Sequence, residues 1–129
     1  MVKPVVLFVD DEPEILEILQ DIFIRSKIEV QCFASGKAAI QACNKKAIDI
    51  IVCDLMLNDI SGLEVLAFFK QTSPKTYRIL MTGYLDDEKE RNAKKQGLMQ
   101  DTIPKPWDIF QVQQKIESLL TVSLSSRGD

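Results

Sequence analysis

The feature that most limits the fold is an alternation. Short apolar runs recur along the chain: VVLFV at 5–9, the weaker EVQCF at 29–33, DIIVCD at 49–54, YRILMTG at 77–83 and DTIP at 101–104. Each is followed by residues at helical spacing. DIIVCD is apolar through its middle rather than alternating, as a strand covered on both faces must be. Five β and five α segments in alternation predict an α/β fold: a doubly wound, five-stranded parallel sheet with five helices spread over both faces. A chain of 129 residues, 46% hydrophobic, suits one domain with one sheet. That domain is expected over residues 1–121. The polar residues 122–129 are expected to form a tail without fixed structure.

The helix ends can be read as well. Pro13 suits a first helical turn, where its missing N–H costs little, and Ile15, Leu19, Ile22 and Phe23 follow at helix spacing. Ser35 is placed to cap a helix whose inner face is Ala38, Ala39, Ala42 and Cys43. NDISG reads as a loop, and Ser61 with Glu64 fits a capping box. DDEKERNAKKQ runs from acids to lysines, in the sense that suits a helix dipole. Ala93 is its only apolar residue, so this helix has little to anchor it. Asp108 can cap a last helix carrying Ile109, Val112, Ile116 and Leu119.

Composition removes several function classes. The net charge of −3 gives no footprint for nucleic acid. The apolar run near the start is too short for a membrane span or a signal peptide, so a cytoplasmic protein with no membrane contact is expected. The three cysteines have no paired spacing and read as buried thiols. There is no histidine, which excludes a Ser-His-Asp triad, a Cys-His pair and an HExxH zinc site.

The unusual polar residues sit at strand ends. Asp10 and Asp11 follow the first strand, Asp54 ends the third, Thr82 ends the fourth, and Lys105 follows the fifth. Carboxyl ends of parallel strands share one edge, and open α/β sheets bind ligands there. In the flavodoxin-like order 2-1-3-4-5 the first and third strands are neighbours, so Asp10, Asp11 and Asp54 would converge. Clustered carboxylates repel, and a dication removes the conflict. An all-oxygen donor set favours Mg²⁺, or Mn²⁺, over zinc. Mg²⁺ keeps room for phosphate oxygens, while Lys105 and Thr82 suit a phosphoryl group. Asp54, between the other groups, is the candidate nucleophile for an acyl phosphate. Each signal alone has a plainer reading: a cap with a solvated acid, a turn, a surface lysine. The joint pattern carries the argument.

The stretches VDDEP, CDLMLNDISG, MTG and KPW, in this order and spacing, resemble the receiver domain of two-component response regulators over residues 3–120. The resemblance implies Asp54 as phosphoacceptor. It implies Mg²⁺ held by the side chains of Asp11 and Asp54, by the Met56 carbonyl, and by Asp10 directly or through water. Thr82 and Lys105 would contact the phosphoryl group, and the Lys105–Pro106 bond would be cis. More narrowly, TGY followed by IPKPWD is similar to receivers with a KPWD motif. Some of those are fused to cyclic-dinucleotide phosphodiesterases, histidine kinases or transcription activators.

Three positions depart from the pattern. Leu57-Asn58 replaces the frequent Met-Pro, which alters the stiffness of the loop. Gly83 replaces alanine and leaves more room over the pocket. Thr102 stands where receivers carry a switch aromatic, and is too short to act as one; Tyr84 is the nearest substitute in sequence.

The expected function is therefore a phosphoswitch and not otherwise an enzyme. A histidine kinase or histidine phosphotransfer protein would supply the phosphohistidine. The face of the fourth helix, fifth strand and fifth helix would then signal to a downstream protein or fused output domain, with no direct nucleic-acid contact. Two alternatives stand beside it. A small Mg²⁺-dependent aspartyl-phosphate phosphohydrolase would turn over phosphate esters, but usually needs a cap region and acids spaced two apart. A pseudo-receiver binding module would need no phosphate; the missing aromatic keeps that reading open.

Overall fold

Each apolar run becomes a strand, and each helical pattern becomes a helix. The computed structural model describes residues 3–83, 87–106 and 108–127, the side chains of 87 and 122–127 excepted. Among these residues the order is β1 (Val5–Val9), α1 (Pro13–Ile22), β2 (Glu29–Phe33), α2 (Gly36–Cys43), β3 (Ile50–Asp54), α3 (Gly62–Thr72), β4 (Tyr77–Thr82), α4 (Asp87–Lys95), β5 (Asp101–Pro104) and α5 (Ile109–Arg127). All strand pairs are parallel, in the order β2-β1-β3-β4-β5. This is the flavodoxin-like order that the sequence predicts.

Successive residues of a strand face opposite sides of the sheet, so the central strands feed two apolar layers at once. Val5, Leu7 and Val9 of β1, with Ile51 and Cys53 of β3, pack with Ala39, Val65, Leu66 and Phe69 from α2 and α3. Val6, Phe8, Ile50 and Val52 face the other way, toward Leu19, Phe23, Val112 and Ile116 on the side of α1 and α5. β1 and β3 are buried along their whole length, whereas edge strand β2 is half-buried throughout. That difference explains why EVQCF reads weakly and IIVCD strongly.

Caps set the helix starts. Pro13 occupies the first turn of α1. Ser35 Oγ accepts from the Ala38 N–H at 3.1 Å, and Asp108 Oδ1 from the Phe110 N–H at 2.8 Å. Ser61 Oγ accepts from the Leu63 N–H at 3.1 Å, one residue earlier than a capping box with Glu64 would have it. α5 runs on to Arg127, and its backbone takes in most of the polar stretch read as a tail; neither proline nor glycine occurs between 121 and 127 to stop it.

The C-terminal end of α4 is held by a cluster of contacts. Ala93 is its one buried side chain among those described. At the C-terminal end, Gly97 adopts φ 70°, the Leu98 N–H reaches Ala93 O at 3.0 Å, and the Gly97 N–H reaches Lys94 O at 3.0 Å. This is a glycine-terminated Schellman motif. Arg78 of β4, only 5% exposed, donates to Leu98 O at 2.9 Å, Gly97 O at 3.0 Å, Thr76 O at 3.1 Å and Pro74 O at 3.3 Å. Lys70 of α3 donates to Gln96 O. No helix of the described residues is long and apolar enough to cross a membrane.

Candidate phosphoryl-acceptor site

The site lies at the carboxyl edge of the sheet, where β1 and β3 run side by side. Apolar β1 ends at Val9 and delivers Asp10 fully buried, with Asp11 half-exposed beside it. β3 ends at Asp54, which is 6% exposed. Carboxylate oxygens of Asp10, Asp11 and Asp54 all lie within 4.8 Å of one another. Asp10 Oδ1 accepts from the Glu12 N–H at 2.9 Å, so the turn into α1 also orients this acid.

Lys105 reaches in from the end of β5. Its Nζ donates to Asp54 Oδ2 at 3.0 Å and to Asp10 Oδ2 at 3.1 Å. The Lys105 N–H is held by Thr82 O at 2.8 Å, and the Lys105–Pro106 bond is cis. Met56 donates its N–H to Asp54 Oδ1 at 3.3 Å, so both oxygens of Asp54 are engaged. The Met56 side chain is 74% exposed.

Burial raises the Asp54 carboxyl above its ordinary range, opposed by the Lys105 ammonium and the Met56 N–H and reinforced by Asp10. Burial also works against the charge on Lys105, but the hydrogen bonds to Asp54 and Asp10 outweigh it and raise that group. The two directions follow from the count of partners: the Lys105 ammonium has two carboxylate partners, while Asp54 shares that one ammonium with Asp10. Cys53, next to Asp54, is pushed up by burial, and the Cys32 thiol is pushed up to about 11 by burial. All three cysteines are free thiols, but only Cys53 is fully buried; Cys32 and Cys43, read as buried from the sequence, are half-buried.

Thr82 ends β4, is 3% exposed, and follows Met81, the register partner of Asp54. Thr102 is not brought into the cluster. It lies on β5 in register with Leu80 of β4, two residues back from the pair Thr82 and Pro104, and is half-buried. Tyr84, and Trp107 of the KPWD stretch, lie outside the described residues. At Gly83 a Cβ would lie 3.3 Å from the Lys105 Cβ, so the room there abuts the lysine stem. A cavity of about 410 Å³ opens beside it, lined by Gly83, Lys105, Pro106, Glu12 and Ile15.

Two supporting residues escaped the sequence reading. Gly62 lies against the end of β3: a Cβ there would sit 2.1 Å from the Asp54 carbonyl oxygen. Its N–H also donates to Leu55 O at 2.9 Å. The signal was a glycine at the start of a helix, where propensity disfavours it. Asp59 accepts from the Gly36 N–H at 3.0 Å and the Lys37 N–H at 2.9 Å. Those backbone bonds hold its carboxyl down at about 2. Nothing in the string NDISG distinguishes this acid from an ordinary loop residue.

The donor set fits a hard dication: three carboxylates, no thiolate or imidazole, at the mouth of an apolar sheet.

Known structures and relatives agree with this architecture. The signal receiver domain of a putative LuxO repressor protein from Vibrio parahaemolyticus superposes with a TM-score of 0.87 at 22% identity, covering 98% of this chain and 96% of that one. A CheY-like response regulator receiver domain protein from Methanospirillum hungatei gives 0.88 at 22% identity, covering 97% and 99%. The signal receiver domain of an HD domain-containing protein from Pseudomonas fluorescens gives 0.86 at 26% identity, covering 96% and 99%. Among curated relatives, the probable transcriptional regulatory protein TcrX of Mycobacterium tuberculosis is 31% identical across 89% of this chain and 49% of its own length. The response regulator protein PilR of Pseudomonas aeruginosa is 29% identical across 88% of this chain and 25% of its own length. The chain thus spans about a quarter to a half of these relatives. Residues 6–117 match the profile of the response regulator receiver domain, and the chain belongs to that family of two-component signalling domains.

Proposed function

We propose that this receiver domain is a phosphorylation switch that accepts a phosphoryl group on Asp54 from a partner phosphohistidine. The observation that carries the reading is Asp54 itself: a buried carboxylate bound by Lys105 and the Met56 N–H, within 4.8 Å of two further carboxylates. In the transfer, an Asp54 oxygen forms the new O–P bond, the N–P bond of the phosphohistidine breaks, and its electron pair stays with the imidazole. The donor is a histidine kinase or a histidine phosphotransfer protein, since this chain has no histidine.

Asp10, Asp11 and Asp54, with the Met56 carbonyl, would hold Mg²⁺ or Mn²⁺. When bound, the ion offsets the carboxylates and draws charge from the phosphoryl oxygens. Lys105 is placed to follow the charge that moves onto the phosphoryl group, and the Thr82 hydroxyl to donate to it. Apart from acquiring and hydrolysing its own phosphoryl group, the domain is not an enzyme in this reading.

The event is read out through α4, β5 and α5. α4 has one buried side chain among those described, and weakly anchored elements are the ones that shift in switches. The recipient is a separate protein or an output domain joined to the receiver. Thr102 supports a second reading, a pseudo-receiver that binds partners without phosphate, because no aromatic occupies that position of β5.

The test is incubation with Mg²⁺ and a small acyl phosphate or phosphoramidate, followed by intact mass. A labile phosphoryl adduct, absent in Asp54→Asn and absent after chelation, is the expected result. No adduct on the wild-type chain would leave the pseudo-receiver reading in its place.

A further inference from the structure

The segment that follows the phosphoacceptor is fastened to a different helix. Asp59 lies between β3 and α3, yet both its oxygens are used on the first turn of α2: Oδ1 accepts from Gly36 at 3.0 Å and Oδ2 from Lys37 at 2.9 Å. These N–H groups have no partner within their own helix. Ser35 serves the next donor, Ala38, at 3.1 Å. The helix dipole favours the negative charge, consistent with a carboxyl held down at about 2 by backbone donors.

Packing repeats the message. A Cβ on Gly36 would lie 2.6 Å from Ile60 Cγ1 and 2.8 Å from Val65 Cγ2. The start of α2 therefore rests on residue 60 with no side chain between. Residues 59 and 60 are tied to α2, while Gly62 is tied to Leu55 by its N–H at 2.9 Å. The intervening turn, Met56-Leu57-Asn58, contains no proline to restrict its backbone. Its Met56 N–H is the one that touches Asp54, at 3.3 Å.

We propose that Asp59 is a positioning residue for the phosphoacceptor site: by clamping the loop to the N-terminus of α2, it fixes the Met56 backbone relative to Asp54 and the divalent cation. Asp59 touches neither the cation nor the phosphoryl group. It supplies the constraint that a proline after the phosphoacceptor would otherwise give. The inference rests on the metal reading above and deepens it.

The experiment uses the full chain as wild type, Asp59→Ala, Asp59→Asn and Ser35→Ala. Mg²⁺ affinity is measured by calorimetry, stability by thermal unfolding without metal, and loop order by amide exchange without metal. Asp59→Ala is expected to weaken Mg²⁺ binding about tenfold, as loss of an outer partner does. Asp59→Asn, which keeps one acceptor, should fall between it and wild type, and it carries the test if the alanine variant does not fold. The Gly36, Lys37 and Met56 amides should exchange faster in Asp59→Ala. Ser35→Ala weakens the same helix end without touching the loop, so it should lower stability and leave Mg²⁺ affinity unchanged.

An unchanged Mg²⁺ affinity in Asp59→Ala overturns the proposal. So does an equal loss in Ser35→Ala, which would make the effect one of α2 stability alone. If the wild-type chain binds no Mg²⁺, the metal reading fails by itself, and exchange then decides the clamp: an unchanged Met56 amide overturns it.

Discussion

Lys105 Nζ lies 3.0 Å from Asp54 Oδ2 and shares its charge with Asp10, so one ammonium compensates two buried acids. Removing it should expose their repulsion. Lys105→Ala is expected to lower stability in metal-free buffer by roughly 1–2 kcal/mol, a buried-pair cost discounted because the lysine is 22% exposed. Mg²⁺ should restore much of that loss, as urea unfolding with and without the ion would show. Phosphoryl uptake should slow by about 10²-fold, the usual result of deleting one donor to developing charge.

Asp54 itself works against the fold when ionised. Burial raises its carboxyl in the folded state, so folding favours the protonated form. Its contribution is most favourable at low pH and is lost as pH rises through the ordinary value of 3.8 and beyond. At pH 7 without metal, Asp54→Asn should therefore melt higher than wild type. With saturating Mg²⁺ the order should reverse, because only the wild type has the full ligand set. Paired melting curves in chelator and in Mg²⁺ check both halves.

Asp59 has the opposite sign. Its carboxyl falls from 3.8 to about 2 on folding, so its stabilising contribution is full above pH 4 and disappears as pH falls toward 2. Asp59→Asn should show a shallower loss of stability than wild type across that window and no change in slope above it. Denaturant midpoints from pH 2 to 5 measure the difference.

Gly62→Ala puts a Cβ where the Asp54 carbonyl oxygen already stands, at 2.1 Å. Backbone cannot yield as a flexible side chain would. The variant should lose roughly 1–3 kcal/mol, in the range of overpacked cores, and bind Mg²⁺ more weakly because Asp54 must shift. Urea unfolding and calorimetry read the two effects separately.

Arg78→Met leaves the carbonyls of Gly97, Leu98, Thr76 and Pro74 without the guanidinium that bridges them. A loss of roughly 2–3 kcal/mol is expected, with faster amide exchange around residues 74–77 and 96–99. Arg78→Lys should not rescue it, since one ammonium cannot span the fork that contacts four carbonyls.

Much of this arrangement could be read in the string of residues, for a physical reason. IIVCD and VVLFV are continuous because both faces of a central parallel strand are covered, and Asp10 and Asp54 stand out because they end such runs. The order 2-1-3-4-5 then brings the acids together. Thr102 was legible as a departure, and it does lie two residues down its row from the edge occupied by Thr82 and Pro104. Asp59 was not legible, because its partners are backbone N–H groups more than twenty residues away in sequence, and backbone donors leave no mark on composition. Arg78 hid for the same reason: the described partners of its guanidinium are all backbone carbonyls, so it read as one more residue of a strand. Ser61 was read as half of a capping box because Glu64 follows at the right interval, but its hydroxyl took the nearer donor, Leu63.

The contacts at the C-terminal end of α4 have a mechanical consequence. Gly97, Arg78 and Lys70 make a fulcrum at its C-terminal end, and Ala93 lies close to that end. If α4 moves as a rigid rod, those contacts would make it tilt about that end rather than slide. Its length of nine residues is about 13 Å, so a tilt of about 10° would carry the far end through roughly 2 Å. The far end is the one joined through the chain to Thr82. A displacement too small to disturb the sheet would thus arrive at the surface enlarged, and its direction would be set by the arginine that holds the pivot.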